Sequence, residues 1–69
     1  MRLIPLHGSY QILVDVVGFL CIKATVVGLD GSVVLTTRGT PIDVTCATEE
    51  QAVVRCAMKF GGFRERGLI

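Results

Sequence analysis

The chain has 69 residues, half of them apolar, and a formal net charge of +1. That length admits one domain, 1–69, which buries only about 60% of the surface its unfolded form exposes; extra support from disulfides, a metal or self-association is expected, and the apolar content favours the last. The near-zero charge excludes bulk attraction to nucleic acid or to an anionic membrane and leaves only a local cluster of cations for such binding.

The apolar run from Ile12 to Leu29 contains Asp15 and Lys23, each costing about 3 kcal/mol near the centre of a membrane helix, which excludes a spanning segment. Arg2 is the lone early cation and Pro5 follows at once, so a signal peptide is not expected and the chain reads as cytoplasmic, without membrane contact. Cys21, Cys46 and Cys56 are odd in number and lack C-x-x-C spacing, which argues against a disulfide framework and a redox motif. Together with His7 they formally make a Cys3His zinc set, but no two are spaced as a knuckle, so neither metal nor cofactor is expected.

In chain order, 1–9 reads as a brief N-terminal edge strand ending in the turn-like Pro5-Leu6-His7-Gly8-Ser9. Tyr10, Ile12, Val14 and Val16 then alternate with Gln11, Leu13, Asp15 and Val17, the period of a strand. Gly18 marks either a turn or a bulge. Phe19 to Leu29 is β-branched-rich, and Asp30-Gly31 predicts a two-residue type I′ hairpin with positive φ at both positions. That loop sets Val27 opposite Val34, Thr25 opposite Thr36 and Lys23 opposite Arg38, and puts Val33 and Leu35 on the core side.

A turn at Arg38-Gly39-Thr40-Pro41 leads to a short strand, Ile42 to Cys46. Thr48 with Gln51 three residues on forms a capping box, Glu49 and Glu50 suit the first turn of a helix, and Ala52 or Val53, Cys56, Ala57 and Phe60 make its apolar stripe. Gly61-Gly62 is expected to end that helix, leaving 63–69 as a tail. The fold class is α+β: a three- to four-stranded antiparallel meander followed by one C-terminal helix packed on one face.

One helix covers one face of a sheet, so Leu13, Val17, Phe19, Cys21, Val27 and Val34 are expected on the uncovered face, with Phe19, Val27 and Val34 as anchors of an interface and Lys23 and Arg38 on its rim. The expectation is a non-catalytic interaction module, a homodimer or the binder of another protein. The alternative is a nucleic-acid-binding module using Lys23, Arg38, Arg64 and Arg66. Strands followed by a helix opening Thr48-Glu49-Glu50-Gln51-Ala52 resemble sheet-reading DNA-binding domains of the integrase-arm type over the second half of the chain, and that helix opening is similar to one in the antitoxins of toxin–antitoxin pairs. Such readers place arginines and aromatics along their strands, where this chain has valine, threonine and leucine, and no site residue is carried over. His7, Ser9 and Asp15 do not make an ordered nucleophile, base and orienter, so no enzyme is expected.

Overall fold

A computed structural model describes residues 2–69; Met1 lies outside them. Four strands and one helix follow in order: β1 (Arg2–His7), β2 (Tyr10–Gly18), β3 (Cys21–Gly28), β4 (Asp43–Cys46) and α1 (Glu49–Glu65). The strands form one antiparallel sheet in the order β1-β2-β3-β4, the expected meander, and α1 packs across β2, β3 and β4.

Register decides which side chains meet the helix. Ile12 pairs with Val26 and Val14 with Ala24, and Ala24 and Ile22 pair on the other side with Val44 and Cys46. These residues alternate along their strands and so share a face. Ile12, Val14, Ala24, Val26, Ile42 and Cys46 pack there with Ala52, Cys56 and Phe60 of the helix as the core. The Tyr10 and Phe60 rings lie 4.9 Å apart at 58°, a tilted contact that joins β2 to the last turns of α1. Burial holds the Cys56 thiol up to about 11, with the nearby Asp43 carboxylate adding to the rise.

The Asp30-Gly31 turn differs from its expected form, and the difference moves the faces. Gly31 is left-handed at φ +85° whereas Asp30 is not. The Gly31 N–H donates to the Gly28 carbonyl at 3.0 Å and the Gly28 N–H to the Ser32 carbonyl at 2.8 Å. This is a three-residue loop, Leu29 to Gly31, with glycine in the bulge position, rather than the two-residue type I′ loop. Asp30 has a local reason to keep an ordinary backbone: its carboxylate accepts the Ser32 N–H at 3.0 Å and the Ser32 hydroxyl at 2.7 Å. Those bonds hold its pKa below the ordinary value.

The extra loop residue slips the register by one, and a slip of one exchanges the two faces. Val27 therefore bridges Val33, not Val34. Val34 turns to the helix side and packs on the core, while Val33 and Leu35 are exposed. The segment from Ser32 to Arg38 is held by isolated bridges instead of forming a regular partner strand for β3. A second turn of the same kind follows, with the Gly39 N–H on the Thr36 carbonyl and the Thr36 N–H on the Thr40 carbonyl, both at 2.8 Å. The chain then returns to β3, where the Val26 N–H donates to the Ile42 carbonyl at 2.9 Å.

The helix begins as expected, the Thr48 hydroxyl accepting the Gln51 N–H at 3.2 Å. Its end lies further on than Gly61-Gly62, both of which remain helical at a cost of about 1 kcal/mol each relative to alanine. The cap is built on Gly67, at φ +70°. The Gly67 N–H reaches the Arg64 carbonyl at 3.1 Å and the Leu68 N–H the Phe63 carbonyl at 2.9 Å. This pair of bonds defines a Schellman cap, so α1 takes in Phe63, Arg64 and Glu65 of the segment expected as a tail.

Candidate interaction surface

Among the described residues no helix or strand packs over the face opposite α1, and the rows of that face follow from the strand register. Leu3, Leu13, Thr25 and Asp43 form one row, Asp15, Lys23 and Thr45 another, and Pro5, Gln11 and Val27 a third. The apolar members left open include Leu3, Val33 and Leu35, with Leu13 and Cys21 half-buried beside them; Val17 is exposed at the irregularity near the end of β2.

Val27 is 0% exposed, the main departure from the expected anchor set. It sits on this face between Gln11 across β2 and Val33 across the bridge, and lies outside the helix-side core. Gln11 is fixed beside it by a 3.3 Å hydrogen bond from its side-chain amide to the Gly28 carbonyl. Val34 leaves the interface set as well, because the register slip seats it on the core.

The surface continues into the β2–β3 hairpin. Register shifts between Val16 and Gly18, and Gly18 then pairs with Cys21, so Gly18 stands at an irregularity and at the base of a two-residue turn. That turn is Phe19-Leu20, and β3 begins at Cys21 rather than Phe19. Phe19 is 94% exposed, and Val16, Val17 and Leu20 are exposed around it. Leu20 adopts φ +49°, a conformation that suits glycine or asparagine and costs a branched apolar residue on the order of 1 kcal/mol. Phenylalanine and leucine thus stand at a turn that favours neither by solvation nor, at Leu20, by backbone preference.

The four expected cations do not converge. Lys23 lies across from Asp15 and Thr45, not Arg38, and its ammonium is 3.7 Å from the Asp43 carboxylate. The acid that answers Lys23 is thus Asp43. Arg38 lies in the Thr36–Thr40 turn, whose Thr37 N–H donates to the Leu68 carbonyl at 2.8 Å. That bond draws Arg38 toward the C-terminal segment with Arg64 and Arg66. The Arg66 guanidinium sits 5.0 Å over the Phe63 ring and donates to the Gly62 carbonyl at 3.1 Å. His7 is exposed at the end of β1, opposite Tyr10.

Sequence reasoning missed Leu3, Leu20, Val33 and Leu35. Leu3 was readable from its alternation with Ile4. The pair Val33 and Leu35 needed the three-residue loop, which a glycine at the third position after Gly28 permits. No protein-family model, curated protein or solved structure matches the chain. No helix among the described residues is long and apolar enough to cross a membrane.

The three thiols have unequal exposure, which gives a direct check of the packing. Cys21 is half-buried and Cys46 and Cys56 are buried. Under native conditions at pH 8, one equivalent of an aromatic disulfide reagent is expected to react, at Cys21, and all three thiols after unfolding in guanidinium. A second fast equivalent in the native state would show that the helix leaves Cys46 or Cys56 open, and three that it covers neither.

Proposed function

We propose that this chain is a small non-catalytic protein-interaction module, self-associating or binding a protein partner through the sheet face opposite its helix. The observation that carries the reading is the apolar tip of the β2–β3 hairpin, with Phe19 94% exposed, Leu20 held at positive φ and Val17 exposed beside them, joined to the uncovered face through Cys21 at the start of β3. Large apolar groups at a strained, solvent-facing turn oppose solubility and backbone preference together, and burial against another protein offsets both. Phe19, Val17 and Leu13 serve as anchors, and the Lys23–Asp43 pair marks the polar rim. Free thiols at all three cysteines support a reducing compartment, the cytosol.

The test is solution mass by light scattering over a wide concentration range for the native chain and for Phe19→Asp. The expected result is association that weakens at least tenfold in the variant while the far-ultraviolet helical signal is kept. Equal association of the two proteins would count against the tip as an anchor.

A second reading is supported by the Thr37–Leu68 hydrogen bond, which draws the Arg38 turn to the segment carrying Arg64 and Arg66. It makes that end of the molecule a nucleic-acid contact. Binding to a short duplex that falls steeply with salt, and falls again in an Arg38→Ala, Arg66→Ala double variant, would select this reading over the first.

A further inference from the structure

The sheet ends on two strand edges, β1 and β4, and the ladder shows which backbone groups each turns outward. In β3 the Val26 N–H donates to the Ile42 carbonyl, the Val26 carbonyl accepts the Val34 N–H, and the Gly28 N–H donates to the Ser32 carbonyl. The groups alternate along a strand, so Ala24 and Ile22 also bond on this side, to their partners Val44 and Cys46. Asp43 and Thr45 are left with their backbone groups facing out from β4. The Asp43 carbonyl bears this out by accepting the Lys59 ammonium at 3.0 Å. Among the described residues nothing bonds the N–H or carbonyl of Thr45, which is exposed. By the same alternation β1 turns Leu3 and Pro5 outward, and Pro5 offers no N–H, so that edge is blunted.

We infer that the β4 edge takes an acidic extended segment of another protein, added as a fifth strand antiparallel to β4. Hydrogen bonding and charge select this occupant. The open N–H and C=O of Thr45 are matched by the C=O and N–H of one residue in an extended chain. α1 follows β4 and runs back along it, bringing Lys59 to Asp43, and Arg55 stands one turn earlier on the same side, toward Thr45. Both side chains are exposed. No acid of α1 shares that side. Glu49 is bonded to Arg2 of β1 at 3.0 Å. Glu50 lies nine residues before Lys59 and so half a turn round from it; Glu65 lies six residues after, a third of a turn round and past the Asp43 end of β4. On the uncovered face the Asp43 carboxylate is answered by Lys23 at 3.7 Å, with Asp15 beyond it on β2. The turn leading into β4 brings a further cation, Arg38.

A second copy fits this edge poorly, because pairing β4 with β4 sets Arg55 and Lys59 of the two helices against each other. A segment with acids at alternate positions fits it well. Its residues on the Thr45 face bond the open backbone groups, and the acids between them point to the helix side, where Arg55 and Lys59 stand. Lys59 then exchanges the Asp43 carbonyl for a carboxylate. The site is separate from the hairpin tip and does not depend on it.

The probe is a fluorescein-labelled peptide of Glu-Val repeats, titrated with the whole chain at low salt and read by anisotropy. Saturable binding is expected, at least tenfold weaker for a Lys-Val peptide and for an Arg55→Glu, Lys59→Glu double variant. Methylating the valine nitrogens of the Glu-Val peptide, the ones placed opposite Thr45, should weaken binding by the same factor with the protein untouched. Thr45→Pro removes an outward N–H and no ladder bond, so the chain should keep its far-ultraviolet signal and lose the peptide. Exchange of the Thr45 amide proton should slow at least tenfold in the complex. No binding of the Glu-Val peptide, equal binding of its N-methylated form, or unchanged exchange at Thr45 would overturn the strand site. Displacement by a short DNA duplex while the N-methylated peptide still binds would also overturn it, in favour of a nucleic-acid contact. Phe19→Asp should leave peptide binding unchanged, which tells this edge from the hairpin tip.

Discussion

Val27→Asp is expected to unfold the chain at neutral pH, although Val27 lies on the face read as an interface. The side chain is 0% exposed, enclosed between Gln11 and Val33, with no cation paired across from it. A carboxylate placed there must lose its hydration without a partner, at a cost of several kcal/mol. A chain of 69 residues has total stability of about 3 to 10 kcal/mol, so most or all of it is lost. Phe19→Asp introduces the same charge where the native side chain is 94% exposed, and is expected to change stability by no more than about 0.5 kcal/mol. Urea titrations followed by far-ultraviolet circular dichroism on the two dilute variants isolate burial from charge. The Val27→Asp chain should regain helical signal as pH falls and the introduced carboxyl is protonated. A folded Val27→Asp chain with a native midpoint at pH 7 would mean that the Ser32–Pro41 segment leaves this position open.

That one position shows where sequence reading succeeds and where it stops. Alternation in Tyr10–Val16 and helical spacing in Ala52–Phe60 are properties of continuous segments, and each placed its residues on the correct side without knowledge of the rest of the fold. Val27 and Val34 depended instead on a loop count. Asp-Gly is compatible with a two-residue loop needing two left-handed residues and with a three-residue loop needing one. The choice is made by Asp30, whose carboxylate binds the Ser32 N–H and hydroxyl when its own backbone is right-handed. A difference of that size exchanges the faces of the Ser32–Arg38 segment: Val34 moves to the core, and Val33 comes beside Val27, which keeps its face but is enclosed there. The helix end failed for a related reason: Gly61 and Gly62 have the chemistry of a cap, but Gly67 has it too. Only at Gly67 do the following residues fold back, the Leu68 N–H reaching Phe63 and its carbonyl receiving the Thr37 N–H. What remained legible of the surface was Val17 and Phe19, because a hairpin tip exposes its residues whatever the register behind it.

Phe60→Ala is expected to cost about 3 to 5 kcal/mol, the largest loss from any single truncation in the core. Phe60 is 3% exposed and is the only aromatic side chain of the buried cluster. It sits in the last turns of a helix weakened by two adjacent glycines, so packing rather than local propensity holds those turns to the sheet. Removing the ring empties a cavity under α1 and also breaks the contact with Tyr10, worth a further fraction of a kcal/mol. The other phenylalanine of the helix provides the comparison. Phe63 is half-buried, packs at the margin of the core and carries Arg66 over its ring. Phe63→Ala should therefore cost about half as much. The measurement is the urea midpoint of each variant at micromolar concentration, with a slope of about 1 kcal/mol per molar for a chain of this size. Phe60→Ala should leave no folded baseline or a midpoint lowered by 2 M or more, and Phe63→Ala a smaller shift. Adding Gly61→Ala to Phe60→Ala should restore about 1 kcal/mol by strengthening the helix without refilling the cavity. If the two truncations cost the same, the C-terminal half of α1 is not seated on the sheet through Phe60, and the placement of Lys59 at the β4 edge falls with it.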